Sequence, residues 1–155
     1  MMRSAMLGQL DEREIEDVLR AEYLGRIGCH ADGRTYVVPV TYAYDGGAVY
    51  GHSAEGLKLR MMRANPTVCF EVDRMENLAT WRSVIAWGRF EELRGADADH
   101  GLALLMARLL PLSVSSETSH PPKSLTHQHR ALEAGLAATV YRITLSEKSG
   151  RFERR

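Results

Sequence analysis

Hydrophobic residues along this chain change their spacing repeatedly, and each change marks a predicted element. Ile15, Val18 and Leu19 recur at helical spacing with charges between them, which predicts an amphipathic helix from Asp11 to Glu22. Asp11 and Glu14 have the spacing of a capping box, and Leu10 with Ile15 can staple the helix start. From Tyr23 the period shortens. Leu24, Ile27 and Cys29 read as a strand that stops at the turn Ala31-Asp32-Gly33-Arg34. Thr35 to Tyr44, rich in Val, Thr and Tyr, predicts a second strand. Pro39 inside it cannot donate a ladder hydrogen bond, so it marks an edge, a bulge or a place where a ligand replaces a neighbouring strand.

Asp45-Gly46-Gly47 is a hairpin turn into a third strand, Ala48 to His52. A helix from Glu55 to Ala64 is stopped by Asn65-Pro66. Thr67 to Val72 is a fourth strand and Ser83 to Leu93 a fifth, with Gly88 suggesting a bulge or a barrel corner. Ala96 to Leu110 reads as a helix, Pro111 to Ser124 as a Ser- and Pro-rich loop, Thr126 to Ala134 as a further short helix and Ala137 to Ser146 as the last strand, before a charged tail. The sum is a mainly β chain with flanking helices. Its strands, about six in number, are antiparallel, and a closed or nearly closed barrel accommodates them without a long exposed edge.

The length of 155 residues fits one domain, residues 1–155, with a sizeable core. Apolar residues at 45% and charged residues at 26% are ordinary for a globular protein. A formal net charge of zero argues against nucleic acid or an anionic membrane surface as partner. No apolar run has the length of a membrane span, and Met1 to Met6 lack an apolar signal core, so a cytoplasmic protein is expected. Cys29 and Cys69 both fall in strand-like runs and are expected as reduced, buried thiols, although a disulfide between neighbouring strands stays open.

The stretch richest in chemistry is Tyr50-Gly51-His52-Ser53-Ala54-Glu55-Gly56-Leu57-Lys58-Leu59. A strand ending in small polar residues and turning into a helix presents backbone N–H groups and hydroxyls to solvent. With Lys58 in the first helical turn this makes an anion pocket, whose commonest occupant is phosphate. From its residue type alone Lys58 reads as a solvated helix lysine, and Ser53 can equally end a strand and cap the next helix.

Five segments in order carry a family resemblance: Leu24-Gly25-Arg26-Ile27, Tyr36-Val37-Val38-Pro39-Val40-Thr41-Tyr42, His52 to Lys58, Asn65-Pro66-Thr67-Val68-Cys69-Phe70-Glu71-Val72 and Arg82-Ser83-Val84-Ile85-Ala86-Trp87-Gly88. The series resembles the pyridoxamine 5′-phosphate oxidase-like flavoproteins, and within them the branch that includes the nitroimidazole-resistance proteins. The resemblance implies a six-stranded antiparallel split β-barrel that binds flavin mononucleotide (FMN) in a groove between the subunits of a homodimer. It implies that Lys58 holds the phosphate with His52, Ser53 and the neighbouring Leu57. It places Val38, Pro39, Val40 and Thr41 beside the isoalloxazine ring, and Arg82 and Ser83 close to the cofactor. Where true oxidases have an Arg-Lys pair in the phosphate helix, this chain has Leu57-Lys58, and Thr41 stands where they carry a substrate-contacting lysine.

The function so implied is FMN-dependent redox chemistry on a small organic substrate, with the flavin supplying the reactivity. Two alternatives stand beside it: a non-catalytic flavin-binding or sensing module, and a split barrel using a deazaflavin or haem. Trp81 and Trp87 are available to a flat cofactor but fit core or dimer packing better. His120, His127 and His129 lack supporting carboxylate or thiol ligands, so no metal site is expected, and no nucleophile elbow points to a hydrolase.

Overall fold

Asp11 opens the first helix as expected: its side chain accepts the Glu14 N–H at 2.8 Å, and the Glu14 carboxylate accepts the Asp11 N–H at 3.2 Å. The structure, a computed structural model, describes residues 6–113 and 138–155. Its elements in chain order are β1 (Met6–Gln9), α1 (Glu12–Ala21), β2 (Leu24–Ala31), β3 (Arg34–Thr41), β4 (Ala43–Tyr44), β5 (Ala48–Ser53), α2 (Leu57–Ala64), β6 (Thr67–Asn77), β7 (Thr80–Glu92), α3 (Gly95–Ser113) and β8 (Thr139–Arg154).

The strands form one antiparallel sheet ordered β3-β2-β6-β7-β8-β5-β4, with β1 added to β8. The two ends of that order, β3 and β4, are consecutive in sequence but not paired with each other, so the barrel is split rather than closed. Among the described residues there are eight strands rather than six. One extra strand is β1, which carries no apolar alternation. The other arises because the expected strand from Thr35 to Tyr44 breaks at Tyr42. There the backbone N–H turns to the Tyr23 carbonyl, and the buried hydroxyl donates to the Leu19 carbonyl at 2.8 Å.

Two strands run further than their hydrophobic pattern. β6 continues past Val72 to Asn77, because the hairpin ladder with β7 carries on through Asp73↔Ser83 to Asn77↔Thr80. β8 runs to Arg154 rather than stopping at Ser146, so the charged tail is a strand, paired with β7 on one side and β1 on the other. α3 extends to Ser113, with Pro111 in its last turn. The predicted short helix at 126–134, most of the 111–124 loop, and His120, His127 and His129 lie outside the described residues.

Pro39 lies on β3, the terminal strand of the sheet, as its missing donor requires. Gly88 marks a bulge: the β7–β8 register shifts between Trp87 and Gly88, and a Cβ there would meet the Thr144 carbonyl oxygen at 2.4 Å. Asp45 closes the β4–β5 turn by accepting the Gly47 and Ala48 N–H groups, with Gly46 at a φ of 101°.

The barrel interior is filled by Ile27, Val49, Phe70, Val72, Val84 and Ile143, and α1 and α2 plug its openings with Leu19, Leu59 and Met62. A second, smaller cluster, Tyr50, Leu105, Leu109 and Val140, sits between β5 and α3. Cys29 and Cys69 are both free thiols on neighbouring strands. Cys69 pairs with Gly28, so Cys29 belongs to the core-facing set while Cys69 points to the other side of the sheet. No helix among the described residues is long and apolar enough to cross a membrane.

Candidate ligand site

α2 leans on β2, where Asn65 Nδ2 donates to the His30 carbonyl at 2.8 Å, and β2 in turn pairs with edge strand β3. α2 thus packs against the strand that carries the free edge of the sheet. α2 starts at Leu57 after Gly56, with no side-chain cap and no acidic residue in its first turn. Its outward N–H groups are a partial positive charge without a counter-charge. Glu55, the nearest carboxylate in sequence, is occupied by Arg63, whose guanidinium meets it at 2.6 and 2.7 Å and also meets Glu92.

Lys58 sits in that first turn. It is half-buried, and burial alone pushes its ammonium below the ordinary lysine value. No hydrogen bond or ion pair to any described residue compensates. Leu57 differs from expectation: its side chain packs against the barrel core, so only its backbone N–H is available at the helix start. The Ser53 hydroxyl is buried and donates to the Ala54 carbonyl at 2.7 Å, so it does not cap α2. His52 and Ser53 point to opposite faces of β5. Ser53 shares the side of Val49, whose core includes α2, and His52 the side of Tyr50 under α3.

Along β3 the same alternation separates the expected residues. Val38 and Val40 pack on the core, whereas Pro39 and Thr41 are exposed on the outer face. Across that face the register makes continuous rows: Pro39, Arg26, Glu71, Ile85 and Ser149 in one, and Val37, Gly28, Cys69, Trp87 and Glu147 in the next. Arg26 bridges Asp73 at 3.1 Å and Glu71 at 3.5 Å. Burial, and then the neighbouring Asp73 carboxylate, push Glu71 up to about 7.

Arg82 and Ser83 fall on opposite faces. Ser83 pairs with Asp73 and Arg151 on the outer face, whereas Arg82 pairs with Arg74 and Phe152 on the α1 side. The strand period of two carries that division, and reading the two as one contact set ignores it. Arg82 lines a cleft of about 400 Å3 under α1, and none of the other expected residues does. The expected residues are thus divided between the two faces of the sheet and do not together line that cleft.

The sequence model described as pyridoxamine 5′-phosphate oxidase matches residues 11–152. The chain belongs to the pyridoxamine 5′-phosphate oxidase family.

The fold of the chain is similar to the crystal structure of an FAD-binding protein from Mesorhizobium loti. The two are 32% identical over 98% of this chain and 100% of that one, with a TM-score of 0.69. A proposed 5-nitroimidazole antibiotic resistance protein from Bacteroides thetaiotaomicron, 18% identical over 97% of this chain and 90% of its own, has a TM-score of 0.68, a likeness of fold alone. An uncharacterised protein of Rhizobium meliloti is 34% identical over 91 residues, which span 59% of this chain and 60% of that protein. The family resemblance carried by Leu24 to Gly88 is thus matched by the sequence model and by the fold.

Proposed function

We propose that this protein binds FMN at the α2 end of the barrel and uses it as an oxidoreductase cofactor toward a small organic substrate. The observation that carries the reading is Lys58: a half-buried ammonium without a partner among the described residues, set in an uncapped helix start with no acidic residue. Such a group is costly in the empty protein and is compensated by an anion. Lys58, the α2 N–H groups and Ser53 fit a flavin phosphate. Val38, Pro39, Val40 and Thr41 form the free edge that would run beside the ring, and Ser83 shares its outer face. His52 faces the α3 side of β5 and is assigned a supporting place behind the phosphate. The flavin, when bound, supplies the electron transfer. The chain's part is to bind the phosphate, hold the ring against β3 and exclude water. The full-length likeness to a protein named FAD-binding supports a flavin, and the single lysine at the helix start favours the mononucleotide.

The outer face is the proposed contact with a second copy of the chain. Val37 is 65% exposed, and Leu24, Ile85 and Trp87 are each 40% exposed or more, an apolar surface alongside the sheet edge where the ring would lie. A second copy would convert the open end of the barrel into a groove.

The test is titration with FMN, FAD and riboflavin, followed by flavin absorbance and fluorescence, in the wild type and in Lys58→Ala. A charge-assisted phosphate contact of about 1.5–3 kcal/mol corresponds to a loss of roughly tenfold or more in FMN affinity. Riboflavin, without phosphate, should bind both forms alike. Failure of the wild type to retain any flavin would overturn the reading.

A further inference from the structure

Arg63, in the last turn of α2, ties the turn before that helix to the end of β7. Its guanidinium forks onto the Glu55 carboxylate, with Nη2 donating to Oε1 at 2.6 Å and Nη1 to Oε2 at 2.7 Å, and its Nε donates to the Glu92 carboxylate. Isolated ion pairs at a protein surface hold little. A two-point guanidinium–carboxylate fork that is shared with a second carboxylate has a fixed geometry and holds more.

The place of Glu55 shows what this clamp prevents. Glu55 immediately precedes Gly56 at the start of α2 and stands three residues before Lys58. A carboxylate so placed is ordinarily drawn to the free N–H groups of the helix start and to a cation in its first turn. Here it meets neither: α2 has no side-chain cap, and burial acts on the Lys58 ammonium without any compensating carboxylate. The Arg63 bonds, and after them the charge of Arg60 on the same flank, hold the Glu55 carboxyl below its ordinary value instead. Arg63 lies five residues after Lys58, which puts the two about 140° apart round the helix. Long helical side chains lean toward the helix N-terminus, so Arg63 meets Glu55 on the flank away from Lys58.

We infer that Arg63 is a positioning residue of the anion site: it holds Glu55 off Lys58 and off the α2 N–H groups, and so keeps both open to a phosphate. The inference rests on the reading of Lys58 as the phosphate contact. Without Arg63, the Glu55 carboxylate turns to Lys58 and the helix start, occupies the place of a ligand anion and repels a phosphate.

The experiment compares four forms of the full chain: wild type, Arg63→Met, Arg63→Met/Glu55→Gln and Arg63→Met/Glu92→Gln. All three positions are outside the core, and methionine keeps an unbranched stem along α2. The two double variants have the same net charge, so they differ in whether Glu55 is left free. Without ligand, the acylation rate of the Lys58 amine at about pH 8, followed by peptide mass spectrometry, should fall about fivefold or more in Arg63→Met, because a carboxylate partner keeps the amine protonated. The rate should recover with Glu55→Gln and stay low with Glu92→Gln. FMN affinity should follow the same order, by about fivefold, while riboflavin affinity stays the same in all four. A Lys58 rate unchanged by Arg63→Met, or restored as fully by Glu92→Gln as by Glu55→Gln, would overturn the inference even if the wild type binds FMN. The expected labelling pattern in a protein that retains no flavin would support the positioning role and overturn the flavin reading alone.

Discussion

Glu71 and Asp73 stand two residues apart on β6, point to the same outer face and share the guanidinium of Arg26. One cation cannot fully stabilise two partly buried carboxylates, so Glu71 keeps its proton up to about pH 7. A carboxyl with a raised native pKa binds its proton more tightly folded than unfolded. It favours the fold below the unfolded value of about 4.3, and that contribution is lost as pH rises through the native value. Glu71→Gln should therefore raise the melting temperature at pH 8 and leave it nearly unchanged at pH 4. Parallel melting profiles for the two proteins would contradict the assignment.

Lys58 should trade stability for binding. Removing a half-buried ammonium that has no partner among the described residues relieves its desolvation, so Lys58→Met should stabilise the ligand-free protein by about 0.5–2 kcal/mol. Denaturant titration of both forms without ligand measures this, and a destabilised variant would mean that Lys58 is structurally compensated.

Gly88 tolerates no side chain. A Cβ would lie 2.4 Å from the Thr144 carbonyl oxygen and 2.9 Å from the Ile143 side chain, at a bulge held on both sides. Gly88→Ala should cost about 2 kcal/mol or more, read as a lower urea midpoint with an unchanged slope.

Asp11 accounts for one end of α1. Asp11→Ala removes the reciprocal bonds with Glu14 and should cost about 1 kcal/mol, with Asp11→Asn recovering most of it.

Cys29 and Cys69 should stay unlinked under oxidising conditions, because their strands are neighbours while their side chains take opposite faces. Intact mass after mild oxidant, without the loss of two hydrogens, is the expected outcome. Loss of that mass in the monomer would mean that the β2–β6 register differs.

The sequence by itself determined what depends on neighbours in the chain. The capping box at Asp11, the Asp45 turn and the missing ladder donor of Pro39 are all set by backbone geometry and contacts a few residues apart. Tertiary structure decided what depends on partners far along the chain. Glu147 to Arg154 is polar enough to read as a tail, yet it is a strand, because the N–H and C=O groups of β7 and β1 complete its ladder. Tyr42 breaks a strand because its partners are Leu19 and Tyr23 on an earlier turn of chain. The division of Arg82 from Ser83 was within reach of the strand period, but which face each joined depended on where α1 packed. The cleft under α1 left no signal in the sequence at all, since it is a property of two elements docked with space between them, and no local rule encodes that distance.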